Sequence, residues 1–174
     1  SKTLTYGGVE IDVGAYTFNF EGGGNFSNSD NSALNLNDED SHLVLDNVTI
    51  GFVSASVASN DTKGLEVSED STLTNLSLTD KLLLSVDSEK TLTLSESLTV
   101  PTQGLGLAGD GTLDLNDNLT MNGNVDIVSG EELTVDIQGL QLNFNGNLNL
   151  VGGDLLTDND TTFHLLSDST LTTN

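Results

Sequence analysis

Cysteine is absent from the 174 residues, so neither a disulfide nor a thiolate nucleophile or metal ligand is available. Arginine and tryptophan are absent too, and proline occurs once, at Pro101. The cations are Lys2, Lys63, Lys81 and Lys90, with His42 and His164, against 27 acidic residues and a formal net charge of −23. Such a field repels nucleic acid and anionic membranes and draws in soluble cations, calcium above all. No run approaches the roughly 18 apolar residues that a membrane-spanning helix requires. Helical spacing of apolar residues is missing, and alanine and lysine are scarce, which disfavours helix throughout. A chain beginning at Ser1 without Met or leader is expected to be a processed protein or an excised segment.

What the chain has instead is short alternating apolar pairs, recurring about every 21 residues. Leu92, Leu113, Leu133 and Leu155 open one series. Leu98, Leu119, Leu140 and Phe163 open a second, and Leu105, Val125, Leu148 and Leu171 a third. Most openers are followed two residues later by another apolar residue, as in Leu94, Val100 and Leu107. Upstream, Leu73, Phe52 and Leu34 continue the first series approximately, with Leu43, Ile50 and Leu65 on other sides. Three strands per repeat predict an all-β, three-sided parallel β-solenoid of about seven or eight coils, each of roughly 21 residues. Right-handed crossovers are the default for parallel strands.

The gaps between pairs are short and rich in Gly, Asn and Asp, as at Gly109-Asp110-Gly111 and Asn122-Gly123-Asn124. These residues tolerate the backbone angles that corners need, and corner asparagines are expected to bridge successive windings. A sandwich would need hairpins and longer strands. Residues 1–174 therefore read as one solenoid domain, with 1–32 as an opening coil or end-piece holding Tyr6, Tyr16, Phe18, Phe20 and Phe26.

Catalytic signatures are scarce. Gly22-Gly23-Gly24 and Gly104-Leu105-Gly106 lack the helix and lysine of a phosphate loop, and the two histidines match no zinc spacing. No Gly-x-Ser-x-Gly element occurs. No lysine or arginine follows Lys90 in the chain, which disfavours a lyase acting on acidic polymers, and an enzyme is not expected. No cofactor is expected other than calcium, whose hard oxygen ligands could come from Asp38-Glu39-Asp40, from Asp114 with Asp117, or from Asp158 with Asp160. The calcium-loaded Gly-Gly-x-Gly-x-Asp repeat is absent. Thr72, Thr91 and Thr112 are expected to stack on the outside, as are Thr74 and Thr93, before the column turns acidic at Asp114, Glu132 and Asp154. Asn-x-Ser/Thr sequons begin at Asn25, Asn47, Asn60, Asn75, Asn118 and Asn159, little above chance for this composition.

The phrasing Lys90-Thr91-Leu92-Thr93-Leu94, Gly111-Thr112-Leu113-Asp114-Leu115 and Asn147-Leu148-Asn149-Leu150 resembles bacterial surface β-helices of the filamentous-haemagglutinin-like adhesin and autotransporter-passenger type. The resemblance implies an exported rod with an adhesive or matrix-forming role. The expected function is a structural protein, extracellular or at the cell surface, whose solenoid is a segment of a stalk or stacks end to end into a filament. The expected partner is another copy, head to tail, through Tyr6, Tyr16, Phe18 and Phe20 at one end and Leu165 and Leu171 at the other. The alternative is an adhesin rod that presents outward Thr, Asn and Asp to cell-surface glycans or calcium. Neither nucleic acid nor membrane insertion is expected.

Overall fold

The computed structural model describes residues 3–6, 11–28, 34–60, 62–128, 131–137, 141–144, 146–149, 153–157, 162–165 and 170–172. Among them no helix occurs and every strand pairing is parallel. Strands recur in a fixed order on three flanks. Flank I carries Thr3–Tyr6, Asn25–Asn28, Thr91–Leu94, Thr112–Leu115, Thr134–Ile137 and Asp154–Thr157. Flank II carries Ile11–Asp12, Leu34–Leu36, Leu98–Val100, Leu119–Met121, Gln141–Phe144 and Thr162–Leu165. Two longer strands, Thr49–Ala55 and Ser71–Leu78, cross the corner between these flanks and pair on both, so flanks I and II form one 14-stranded sheet. Flank III is a separate 8-stranded sheet running from Thr17–Glu21 to Leu171–Thr172.

The result is a β-solenoid of about six turns, slightly fewer than the seven or eight coils expected. The outermost short strands carry the same ladders further at both ends. Thr3–Tyr6, Ile11–Asp12 and Thr17–Glu21 are the first members of the three ladders, and Asn25–Asn28 is the second member on flank I.

Alternation explains each strand. In Thr91–Leu94 the leucines are buried and the threonines half-buried, and the same pattern holds in Thr112–Leu115 and Thr134–Ile137. One inward row per strand therefore supplies one continuous core, from Val13 and Phe26 to Leu148. Burial of each Leu, Val or Ile contributes about 1.5–3 kcal/mol. Ser71 is a polar residue within an inward row. Its hydroxyl accepts from the Val48 amide at 3.2 Å and donates to the Glu69 carbonyl at 2.8 Å, so its burial leaves neither capacity unmet.

The register agrees with the expected columns in several places and slips in others. Leu92 lies beside Leu113, Leu98 beside Leu119, and Leu105, Val125, Leu148 and Leu171 follow one another on flank III. In the next winding, however, Val135 rather than Leu133 lies beside Leu113, and Leu142 rather than Leu140 beside Leu119. Leu133 is buried at the corner before its strand, and Leu140 lies outside the described residues. Upstream, Leu73 pairs with Leu94 and leaves Ser71 beside Leu92. Ile50, not Phe52, continues below Leu73, and Leu34 belongs to flank II beside Val53. On the outside, Thr72 stands beside Thr93, while Thr91, Thr112 and Thr134 form the neighbouring column. The columns turn acidic at Asp114, Asp136 and Asp154.

Polar side chains fasten the corners from one winding to the next. Asp70 Oδ1 accepts from the Thr91 amide at 2.8 Å, and Asp110 Oδ1 from Glu132 at 3.1 Å. Asn124 Oδ1 accepts from Asn147 at 3.2 Å, and Asn147 Oδ1 in turn from Thr170 at 3.0 Å. Each satisfies an amide exposed where a ladder is interrupted. Gly109 has φ of +86°, and a Cβ there would lie 1.9 Å from the Val86 carbonyl oxygen of the preceding winding. No other residue fits that corner without moving the backbone.

Leu84 is fully buried between Leu65 and Leu107. Leu84→Ala is expected to cost about 2–5 kcal/mol in chemical denaturation, whereas Thr99→Ala on an exposed outward position should stay within about 0.5 kcal/mol. Equal effects at the two positions would contradict a dry column through Leu84.

Candidate functional site

Three regions follow from this architecture: the ends of the ladders, the acidic corners, and flank III. At the N-terminal end, Phe18 and Phe20 lie in the inward rows beside Leu43 and Leu45. Their ring centroids are 5.0 Å apart, and Phe20 stands 4.9 Å from Phe26. Phe18 remains 39% exposed while Leu43 beneath it is fully buried, so the aromatic layer ends the core. Tyr16 is 77% exposed at the corner before flank III, outside that layer. Tyr6 pairs with Asn28 on flank I. At the other end Leu165 pairs with Phe144, and Leu171 with Leu148, in the registers of the inward columns. Among the described residues the end strands Thr3–Tyr6 and Thr17–Glu21 pair on one side only, as do Thr162–Leu165 and Leu171–Thr172.

The expected calcium ligands are separated from one another. Asp38-Glu39-Asp40 forms a turn whose oxygens serve the chain itself. Asp38 Oδ1 accepts from the Asp40 amide at 3.0 Å, the Asp38 carbonyl accepts from Ser41 N at 3.0 Å, and Asp40 Oδ1 accepts from Asn60 Nδ2. Asp114 projects from flank I beside Asp136, while Asp117 sits at the next corner with its Oδ1 accepting from the Asn118 amide at 2.7 Å. Asp158 and Asp160 lie outside the described residues. Among the described residues no group of three or more His, Asp or Glu is placed to hold a metal ion.

At the corner between flanks III and I, Lys90 Nζ pairs with Glu69 Oε2 at 2.7 Å. That hydrogen bond, reinforced by the carboxylates of Glu69, Asp70 and Glu89, raises the lysine above its ordinary pKa. Asp87 at the same corner is also raised. Partial loss of solvation is the main cause, Glu66 and Glu69 add to it, and Lys90 opposes it.

Flank III carries the most varied chemistry. His42 Nε2 lies 2.9 Å from Glu66 Oε2, and its Nδ1 lies 3.5 Å from the Thr17 hydroxyl. Three windings are thereby linked by outward side chains. The Thr17 contact is longer than general-base activation of a hydroxyl requires, so the trio reads as a polar ladder rather than a nucleophile and its base. Below His42 the outward column holds Gly64, then Leu83 and Gly106, with Glu66, Ser85 and Ala108 in the adjacent column. Small residues there leave a trough of about 190 Å³, bounded by His42, Glu66, Thr62 and Lys63. A second depression of about 340 Å³, lined by Asn25, Asn47, Thr49, Asp70 and Thr72, lies at the corner between flanks III and I. The sequence does not announce the flank III ladder, because outward side chains obey no apolar period and their contacts span 24 and 25 residues.

Compared with protein-family models, curated proteins and solved structures, the chain matches none.

Asp87 supplies a test of the corner electrostatics. A carboxylate whose folded-state pKa is raised binds its proton more tightly when folded, so its ionisation opposes folding as pH rises through the raised value. Asp87→Asn should therefore raise the melting temperature at pH 7, and the gain should disappear once pH falls below the ordinary value of 3.8. Thermal melts from pH 3 to 8 check this, and a gain that persists unchanged in acid would refute it.

Proposed function

We propose that the protein is a structural component of an extracellular or cell-surface fibre, a β-solenoid subunit or segment extended along its axis by parallel strand pairing between successive ends. The observation that carries this reading is the match of the two described ends. Each presents strands of all three flanks in parallel register, and Phe18 and Phe20 lie over one core cross-section, with Phe20 packed on Phe26 of the next winding. Such an end is a template for a further strand layer. A contact between unlike ends does not close on itself and propagates as a filament.

Charge works against this step. Each copy carries −23, so two ends approach against mutual repulsion that salt screens over about 8 Å at physiological ionic strength. The acidic sides also discourage lateral association, which favours growth along the axis over clumping.

Light scattering and electron microscopy of the purified chain test the reading. Axial oligomers should grow with protein concentration and with salt. Phe18→Lys, which places a charge on the exposed aromatic layer, should arrest them while leaving the β-sheet spectrum intact. A chain that stays monomeric at about millimolar concentration in high salt, or a Phe18→Lys variant that assembles like the parent, would defeat the proposal.

A further inference from the structure

The trough on flank III has features that the rod itself does not need. The flank II–III corner takes three residues at 79–81, four at 101–104 and three at 122–124, but eight at 56–63. The extra length forms a wall, and the wall is fastened to both neighbouring windings. The Ser59 amide donates to the Lys81 carbonyl at 3.1 Å, Ser59 Oγ accepts from the Leu83 amide at 2.7 Å, and the Asn60 amide donates to the Glu39 carbonyl at 3.0 Å. Thr62 and Lys63 are thereby held at the rim of the trough. Its floor is partly apolar, from Leu83 and Ala108, and its edges carry both donors and acceptors in His42, Glu66, Thr62 and Ser85.

The distribution of charge points to the ligand. Lys90 is committed to Glu69. Among the described residues Lys63 and Lys81 make no ion pair, although the chain holds 27 acids. Both stand at this one corner. Lys63 lines the trough, and Lys81 leans over the flank so that its Cε lies within 4.0 Å of where a Gly106 Cβ would be. Among the described residues, the lysines without an ion pair thus stand together beside a depression with an apolar floor and a hydrogen-bonding rim. An apolar ring face edged with hydroxyls fits such a lining, and a volume of about 190 Å³ accommodates one six-membered sugar ring.

We propose that this trough binds a single pyranose residue bearing a carboxylate, a hexuronate unit of an acidic glycan. The carboxylate is set against Lys63, and the ring lies on Leu83 and Ala108. The Glu66 carboxylate, oriented by His42, accepts from the ring hydroxyls. The inference does not rest on axial assembly, since the trough lies on the side of the rod within the second to fifth windings.

Nuclear magnetic resonance titration of the full chain with methyl β-D-glucuronide tests it, with methyl β-D-glucoside as the neutral counterpart. The glucuronide should saturate shifts at Lys63, Ser85 and Ala108 with a dissociation constant of about 1 mM, a small-ligand affinity. The glucoside should bind at least tenfold more weakly, as should the glucuronide to Lys63→Met. Ala108→Phe, which fills the floor without touching the ladder contacts of His42, should abolish binding and leave the melting temperature and axial oligomers unchanged. Absence of saturable shifts with the glucuronide would overturn the proposal. So would equal binding of both glycosides together with an unaffected Lys63→Met variant.

Discussion

Everything in this molecule depends on each winding returning one strand spacing, about 4.8 Å, along the axis with its inward row over the row before. Backbone pairing and apolar burial are coupled by that return. A displaced winding would lose its ladder hydrogen bonds and expose a row of leucines in the same movement. The apolar fraction of 35% is modest, yet it suffices because the alternating inward rows concentrate much of it in the core. Corners carry the remaining constraint. Asp70, Asp110, Asn124 and Asn147 hold the amides that the interrupted ladders leave over, and Gly109 lets the chain pass against Val86.

The same coupling explains what could be read from the sequence and what could not. A one-residue slip turns an inward row outward, so the face of each residue is strongly encoded, and the leucines expected inside are buried wherever their burial is described, except that Leu155 is partly buried against the core. A two-residue slip preserves the face, so periodicity alone does not separate Leu133 from Val135 or Leu140 from Leu142. Spacing on flank II lengthens from 21 residues between Leu98 and Leu119 to 23 between Leu119 and Leu142, and the expected columns fail at that step. Flank III stayed legible because the longer spacing falls between Val125 and Leu148 with no alternative leucine two residues earlier. The bent strands Thr49–Ala55 and Ser71–Leu78 were harder still. They turn a corner inside a continuous strand, marked only by the single residues Gly51 and Asn75 rather than by a polar gap of several residues, and Phe52 stands beside Asn75 at that bend.

Outward positions carry no comparable code. His42, Glu66 and Lys63 look isolated along the chain, and only the stacking of windings brings them to one surface. The acidic sets chosen by sequence proximity show the converse. Asp114 and Asp117 are near in sequence, but strand geometry sends one to the flank and the other to the corner, and the ladder neighbours of Asp114 are Thr93 and Asp136. In a solenoid, neighbours are found one period away.

The proposed axial growth and the proposed sugar trough would reinforce one another energetically. A site of about 190 Å³ with a few polar contacts holds a small ring weakly, and one copy would dwell on a glycan only briefly. A rod that repeats along its axis presents the same trough at a fixed spacing. With eight strands on flank III at about 4.8 Å each, that spacing is of the order of 40 Å per copy. A polymeric acidic glycan, or a surface bearing many chains, then engages several troughs together, and avidity gains of about 10²–10⁴ follow without any new contact. Long-range repulsion between acidic rod and acidic glycan acts in the opposite direction, but it is screened within a Debye length, whereas Lys63 acts at contact distance. On the two proposals together, the surfaces would be separated by distance dependence: a repulsive field along the flanks that keeps copies apart, and short-range complementarity at the ends and in one trough.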